Sequence, residues 1–294
     1  MSTEHRDDSW HLAEGDAITP ELTAVKKLGG GSAYEAYLAF DEVTYGPVVV
    51  KVVRPTSLDD HTLRGLRREV ESLARVNHPV VVRGLRHQLD GPRPHVVLEN
   101  LDGPRLSTLV RRHGRLSEQQ YLPLAIEVAS ALHYFRHVDL CHLDIKPSNV
   151  IMGAPARLID LSVARSSAAA ARITGAIGTD RYMSPEQCDP GRRGEPGHAS
   201  DVWGLGATLF EAVAGHRAFD DGDRDADDPV LRHPQLVDRP RALPAQVPDQ
   251  VAKTVLAMLD PEPASRPLPH EVAGALEPVL AGQPPARLSF KVRH

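Results

Sequence analysis

A change of periodicity near Asp102-Gly103-Pro104 constrains this chain more than any other feature of its sequence. Upstream, from Leu22 to Val53, the runs TAVKKL, AYLAF and PVVVKVV are broken by Gly29 to Gly31 and by Gly46-Pro47, a pattern that predicts three antiparallel strands. Leu63, Leu66, Val70, Leu73 and Val76 then recur at steps of three and four, predicting one helix over about 61–76 that stops before Asn77-His78-Pro79. Two further strands are expected near Val80–Arg83 and His95–Glu99. Downstream the pattern is mainly helical, over about 117–139, 200–215, 248–259 and 269–280, so the fold expected is α+β: a small lobe with an antiparallel sheet plus one helix, then a larger, mainly helical lobe. The lobes are expected over about 18–101 and 102–282.

The length of 294 residues allows one large domain or two lobes sharing a cleft, and a hydrophobic fraction of 41% supports a folded core. Aromatic residues are only 4%, so aliphatic packing supplies most of that core. A formal charge of -5 gives no broad basic field, which disfavours sequence-independent binding to nucleic acid. The two cysteines, Cys141 and Cys188, form no CxxC pair and read as packing residues in a reducing compartment. No stretch has the length of a membrane span, and the start MSTEHRDDSW is too polar for a signal peptide, so the expectation is a cytoplasmic chain. Residues 1–17 and 283–294 read as tails, the first of them flexible, and Phe219–Pro248, rich in Asp, Arg and Pro, reads as a mostly irregular insert with at most one short helix.

The stretch His142-Leu143-Asp144-Ile145-Lys146-Pro147-Ser148-Asn149 sets a carboxylate, an ammonium and an amide at short fixed offsets. Phosphoryl transfer to a hydroxyl needs a carboxylate to orient the nucleophile, a cation for the γ-phosphate and oxygen ligands for a divalent metal. Asp144, Lys146 and Asn149 fit those needs, and Asp160, eleven residues past Asn149, adds a second metal-binding carboxylate.

From about Leu22 to Leu280 the chain resembles the eukaryotic-like (bacterial) serine/threonine protein kinases, with motifs in the family's order. Leu28-Gly29-Gly30-Gly31-Ser32 resembles the glycine-rich phosphate loop, and Ala36 stands where a valine usually covers adenine. Lys51 matches the strand lysine that holds the α- and β-phosphates, and Glu69 its helix partner. Leu98-Glu99-Asn100-Leu101 resembles the hinge, with Leu98 as gatekeeper and backbone bonds to adenine near Glu99 and Leu101. Asp160-Leu161-Ser162 stands in place of D-F-G, Ser184-Pro185-Glu186 in place of A-P-E, and Asp201 begins the helix that anchors the catalytic loop. Arg266 matches the arginine that pairs with the A-P-E glutamate, here Glu186. Lys146-Pro147 and Gly178-Thr179 imply serine/threonine specificity, with Thr179 contacting Asp144 and Lys146, and Thr174 is the best-placed regulatory candidate. The resemblance implies ATP with Mg²⁺, or Mn²⁺ in its place, protein substrates, and a homodimer for autophosphorylation.

Departures from the family pattern bear on regulation. Leu143 replaces the arginine that precedes the catalytic base, marking a non-RD type in which Thr174 phosphorylation is not needed through that route. Leu161 and Ser162 replace Phe and Gly, and Tyr34 replaces the third loop glycine. The rival readings are a pseudokinase acting as a nucleotide-binding scaffold and a small-molecule kinase of the aminoglycoside type; the S-P-E run and the Asp201 helix argue against the latter. His133, His137 and His142 are spaced like metal ligands, but no intervening glutamate completes a zinc hydrolase motif and His142 matches the catalytic-loop histidine.

Overall fold

A computed structural model describes residues 8–284, which divide into two compact units: one runs up to Asp102 and adds Ile159–Arg165, the other comprises 103–158 and the chain from Ser166 on. The first unit holds strands β1 (Ala17–Thr19), β2 (Leu22–Gly30), β3 (Tyr34–Asp41), β4 (Gly46–Val53), β5 (Gly84–Gln88) and β6 (His95–Glu99) and the helix α1 (Asp60–Arg75). The strands form one sheet in the order β1-β2-β3-β4-β6-β5, with antiparallel neighbours throughout. Strand periodicity sorts β4 cleanly: Val48, Val50 and Val52 enter the core with Leu22, Tyr37, Ala39 and Val97, while Lys51 lies on the opposite face.

Helix α1 begins where the Asp59 carboxylate accepts the Thr62 amide at 2.8 Å, an N-cap. Its buried face carries Thr62, Leu66, Glu69, Ser72 and Leu73, so the apolar stripe read from the sequence is turned to include an acidic residue in place of Val70. The expected strand at Val80–Arg83 lies instead at Gly84–Gln88; Val80, Val81 and Val82 are buried outside any regular strand, and the real strand is a largely exposed edge with a polar sequence.

Residues 9–17 correct the expectation of a flexible tail reaching Ala17. The Trp10 indole donates to Val53 O at 2.8 Å, the Arg93 guanidinium lies 4.9 Å from its ring, and Trp10 and Leu12 pack on the sheet core. One aromatic anchor in a polar stretch leaves no periodic signal. Residues 1–7 and 285–294, which hold the rest of the two expected tails, lie outside the described residues.

The second unit contains α2 (Leu106–His113), α3 (Glu118–His137), the two-stranded β7 (Val150–Ile151) and β8 (Arg157–Leu158), the short α4 (Ser167–Ala170) and α5 (Pro185–Cys188), α6 (His198–Ala214), the short α7 (Pro229–Arg232), α8 (Asp249–Met258) and α9 (Pro269–Ala281). Helix α6 is buried on almost every face and ends at Gly215 in the left-handed conformation, φ 78°, the usual device for stopping a helix. Helices α3, α8 and α9 surround it or one another, and Trp203 of α6 stacks on Phe219 at 5.7 Å. Gly204 brings α6 against the loop before β7: a Cβ there would lie 3.0 Å from Ile145 Cβ and 3.1 Å from Ile145 O. Between Phe219 and Pro248 the only helical pieces are α7 and a single 3₁₀ turn at Pro234–Leu236. Among the described residues, no helix is long and apolar enough to cross a membrane.

Candidate active site

Strand β4 and helix α1 bring Lys51 and Glu69 together across 18 positions of sequence: Lys51 Nζ donates to Glu69 Oε1 at 3.0 Å and Oε2 at 2.8 Å. Asp160 Oδ1 lies 2.8 Å from the same nitrogen, and its segment Ile159–Arg165, placed in the larger lobe by sequence, belongs to the smaller unit. Burial disfavours the Lys51 charge, but the Glu69 and Asp160 carboxylates outweigh it and hold the ammonium's pKa above its usual value. Asp160 has φ 69°, a left-handed conformation that a non-glycine residue adopts only when its surroundings enforce it.

The glycines at 29–31 form the end of β2 and the turn into β3. Gly31 N donates to Tyr34 O at 3.0 Å, and a Cβ on Gly30 would lie 2.3 Å from that carbonyl, so this hairpin closes only around glycine. Leu28 and Ser32 are exposed beside the turn, and Ala36 pairs with both Gly29 and Lys51 in the sheet. Tyr34 folds onto α1, its hydroxyl donating to Thr62 O at 3.0 Å and its ring lying 4.7 Å from Lys51 Nζ. The third loop glycine is thus replaced by a brace between loop and helix, a role its position alone does not reveal. Leu98 is buried on β6, Glu99 follows it with its carboxylate accepting the Arg83 amide at 2.8 Å, and Leu101 is half-buried just beyond the strand.

In the larger unit one carboxylate organises the loop from Cys141 to Asn149. Asp201, buried in the first turn of α6, accepts the amides of His142 at 2.8 Å and Leu143 at 2.7 Å. Leu143 stands at φ 63°, and Gln187 of α5 donates to its carbonyl at 2.8 Å, so this strained residue is pinned on both sides. Burial raises the Asp201 carboxyl to about 7 against the two amides that pull it down.

Asp144 then presents both oxygens to partners of opposite use. Lys146 Nζ is 2.6 Å from Oδ2, and the Thr179 hydroxyl donates to Oδ1 at 2.7 Å while accepting from Lys146 at 2.6 Å. A hydroxyl held between a carboxylate and an ammonium is the arrangement a proton-accepting, phosphate-steadying pair requires. Asn149 Nδ2 donates to Asp144 O at 3.0 Å and to Oδ2 at 3.2 Å, which leaves its Oδ1 as the atom a hard cation would take. The carboxylate of Asp160 in the first unit and the amide Oδ1 of Asn149 in the second are each the donor type that magnesium or manganese takes.

The Glu186–Arg266 pair is fork-shaped, with nitrogen–oxygen distances of 2.7 and 2.9 Å; Ser200 adds a hydrogen bond to Glu186 at 2.7 Å, and the guanidinium lies 5.0 Å from the Trp203 ring. Ser200 and Gln187 are uncharged polar residues of common type whose roles depend wholly on tertiary position. Thr174 lies exposed, whereas Thr179 is half-buried in the Asp144 network. Leu143 and Leu161 are both buried apolar residues. His133 and His137 face each other at 3.1 Å between Nε2 atoms, with His270 as their aromatic neighbour; His142 is buried beside Phe135, its Nδ1 accepting the Asp144 amide at 3.3 Å. Cys141 is fully buried, and burial raises its thiol pKa, which disfavours a reactive thiolate.

A family model described as "Protein kinase domain" matches residues 22–275. The serine/threonine-protein kinase PknB of Mycobacterium leprae is 32% identical over 275 residues, covering 88% of this chain and 43% of that protein. PknB of Mycolicibacterium smegmatis is 32% identical over 205 residues, 65% of this chain and 32% of that protein. PknK of Mycobacterium tuberculosis is 30% identical over 269 residues, 90% of this chain and 22% of that protein. The chain therefore spans less than half the length of these curated relatives.

Proposed function

The chain belongs to the protein kinase domain family and has the two-lobed fold expected from its sequence, and from that premise we propose that it transfers the γ-phosphoryl of Mg-ATP to serine and threonine hydroxyls of proteins, its own included. The observation that carries this reading is the Thr179 hydroxyl held between Asp144 and Lys146, with Asn149 fixed to the same carboxylate. Asp144 orients the acceptor hydroxyl and takes its proton as the oxygen attacks phosphorus, and Lys146 steadies the oxygens of the transferring group. Lys51, set by Glu69, holds the α- and β-phosphates; the turn at Gly29–Gly31 offers backbone amides; Leu28, Ser32, Ala36, Leu98, Glu99 and Leu101 receive the nucleotide. Asn149 and Asp160 would each offer an oxygen to magnesium, which would supply neutralisation of phosphate charge.

Every group with a direct chemical role is present, and this supports a working enzyme over a nucleotide-binding scaffold. Leu143 supports a non-RD type, since a buried leucine cannot hold a phosphate. Autophosphorylation through a transient homodimer and a cytoplasmic setting complete the proposal. The test is incubation of the purified chain with labelled Mg-ATP and a generic basic protein, followed by acid hydrolysis. Phosphoserine or phosphothreonine is expected; phosphotyrosine, or label confined to small molecules, would overturn the assignment.

A further inference from the structure

Three successive carbonyls of the glycine-rich turn are tied to the segment that follows β4. Arg54 donates its backbone amide to Ala33 O at 2.9 Å and its Nε to Gly31 O at 2.7 Å, and the Ser57 hydroxyl donates to Ser32 O at 3.3 Å. Across a planar trans peptide the N–H points opposite to the carbonyl before it. Fixing the carbonyls of Gly31 and Ser32 therefore fixes the directions of the Ser32 and Ala33 amides, away from Arg54 and Ser57; successive N–H groups in a turn are the kind of donor set that takes an anion.

Arg54 is itself held from the N-terminal side. Its Nη1 donates to Asp8 O at 2.6 Å and lies 3.4 Å from the Asp8 carboxylate and 3.5 Å from Glu35 Oε1, with only 14% of the side chain exposed. Glu35, fully buried one residue past Tyr34, gathers the same segment: it accepts from Ser9 Oγ at 2.7 Å, Trp10 N at 3.1 Å and Tyr37 OH at 3.0 Å, and pairs with Lys27. The sequence gives no hint of this junction, because its members come from four separate stretches.

We propose that Arg54 is a positioning residue for nucleotide phosphate, acting through the amides of Ser32 and Ala33, and that the segment Asp8–Trp10 belongs to the nucleotide machinery because it holds Arg54 in place. The inference rests on the reading of the turn as an ATP phosphate cradle. It separates Arg54 from a structural residue by one property: phosphate contacts depend on it and adenosine contacts do not.

The test uses the full chain and compares Arg54→Ala with wild type by calorimetric titration of Mg-ADP and of adenosine, with thermal melting as the check on folding. A lost hydrogen bond corresponds to about a three- to tenfold loss of affinity for Mg-ADP, with adenosine binding held within about twofold. KM for ATP should rise in the same proportion while kcat holds. Equal losses for both ligands, or no loss for either, would overturn the positioning role while leaving the ATP reading intact. A wild-type chain that binds ADP no better than adenosine would overturn the phosphate cradle and this proposal with it. Should Arg54→Ala not fold, Arg54→Lys, which keeps the charge but not the fork between Gly31 O and Asp8 O, decides by the same ratio; a wild-type ratio overturns the role.

Discussion

Glu35 and Glu69 show what a single residue's sequence context reveals and what it hides. Glu69 is legible: it sits on a helix with clear spacing, and a strand lysine precedes it at the family interval. Glu35 carries no motif or periodic signal, yet it is fully buried. Burial disfavours its charge, but the Lys27 ammonium, the Ser9 and Tyr37 hydroxyls and the Trp10 amide more than compensate and bring its carboxyl down to about 2 from an ordinary 4.5. In acid the unfolded chain takes up this proton first. The stability Glu35 contributes is therefore complete above pH 4.5 and is lost as the pH falls from there toward 2. Melting curves across that window should show Glu35→Gln with a shallower loss of Tm on acidification than wild type. Parallel slopes would contradict the assignment.

Elements were legible where the apolar pattern was long and strong. The three strands from Leu22 to Val53 and the helices α3, α6, α8 and α9 stand close to their expected ranges. Strand β5 escaped because an edge strand of sequence GLRHQ buries little, and the apolar Val80–Val82 run mimicked a strand while packing without one. Helix α2, amphipathic but only eight residues long, offered too few turns to declare itself. At this scale the hairpin of β2 and β3 depends on Gly30. In Gly30→Ala the new methyl would meet Tyr34 O at 2.3 Å, so the turn must open; a loss of about 1–3 kcal/mol in denaturant unfolding is expected, together with weaker ADP binding. The junction of α5 and α6 depends on the fully buried Glu186–Arg266 pair. Removing one partner leaves an uncompensated charge, so Arg266→Ala should cost about 3–5 kcal/mol of stability, and an unchanged midpoint would show the pair to be idle.

For the molecule as a whole, the order of elements was readable, and the candidate site could be named beside it because its residues sit in short linear runs. The supports were not, since Gln187, Ser200 and Arg54 acquire their partners only in the folded chain. Regulation belongs to this scale too. Leu143 is buried and its peptide is held by Asp201 and Gln187, so this position offers no cation to pair with an activation-segment phosphate. Thr174→Ala and phosphatase treatment should therefore leave turnover within about twofold of the untreated enzyme, and a large loss in either would contradict the non-RD reading. The most direct test of the central claim is single-turnover phosphate transfer by wild type and Asp144→Asn, with Mg-ATP affinity measured on both. If Asp144 orients the acceptor and takes its proton, the variant should bind Mg-ATP as wild type does and transfer about 10²–10⁴ times more slowly; nucleotide binding by both with transfer by neither would contradict it and identify a nucleotide-binding scaffold.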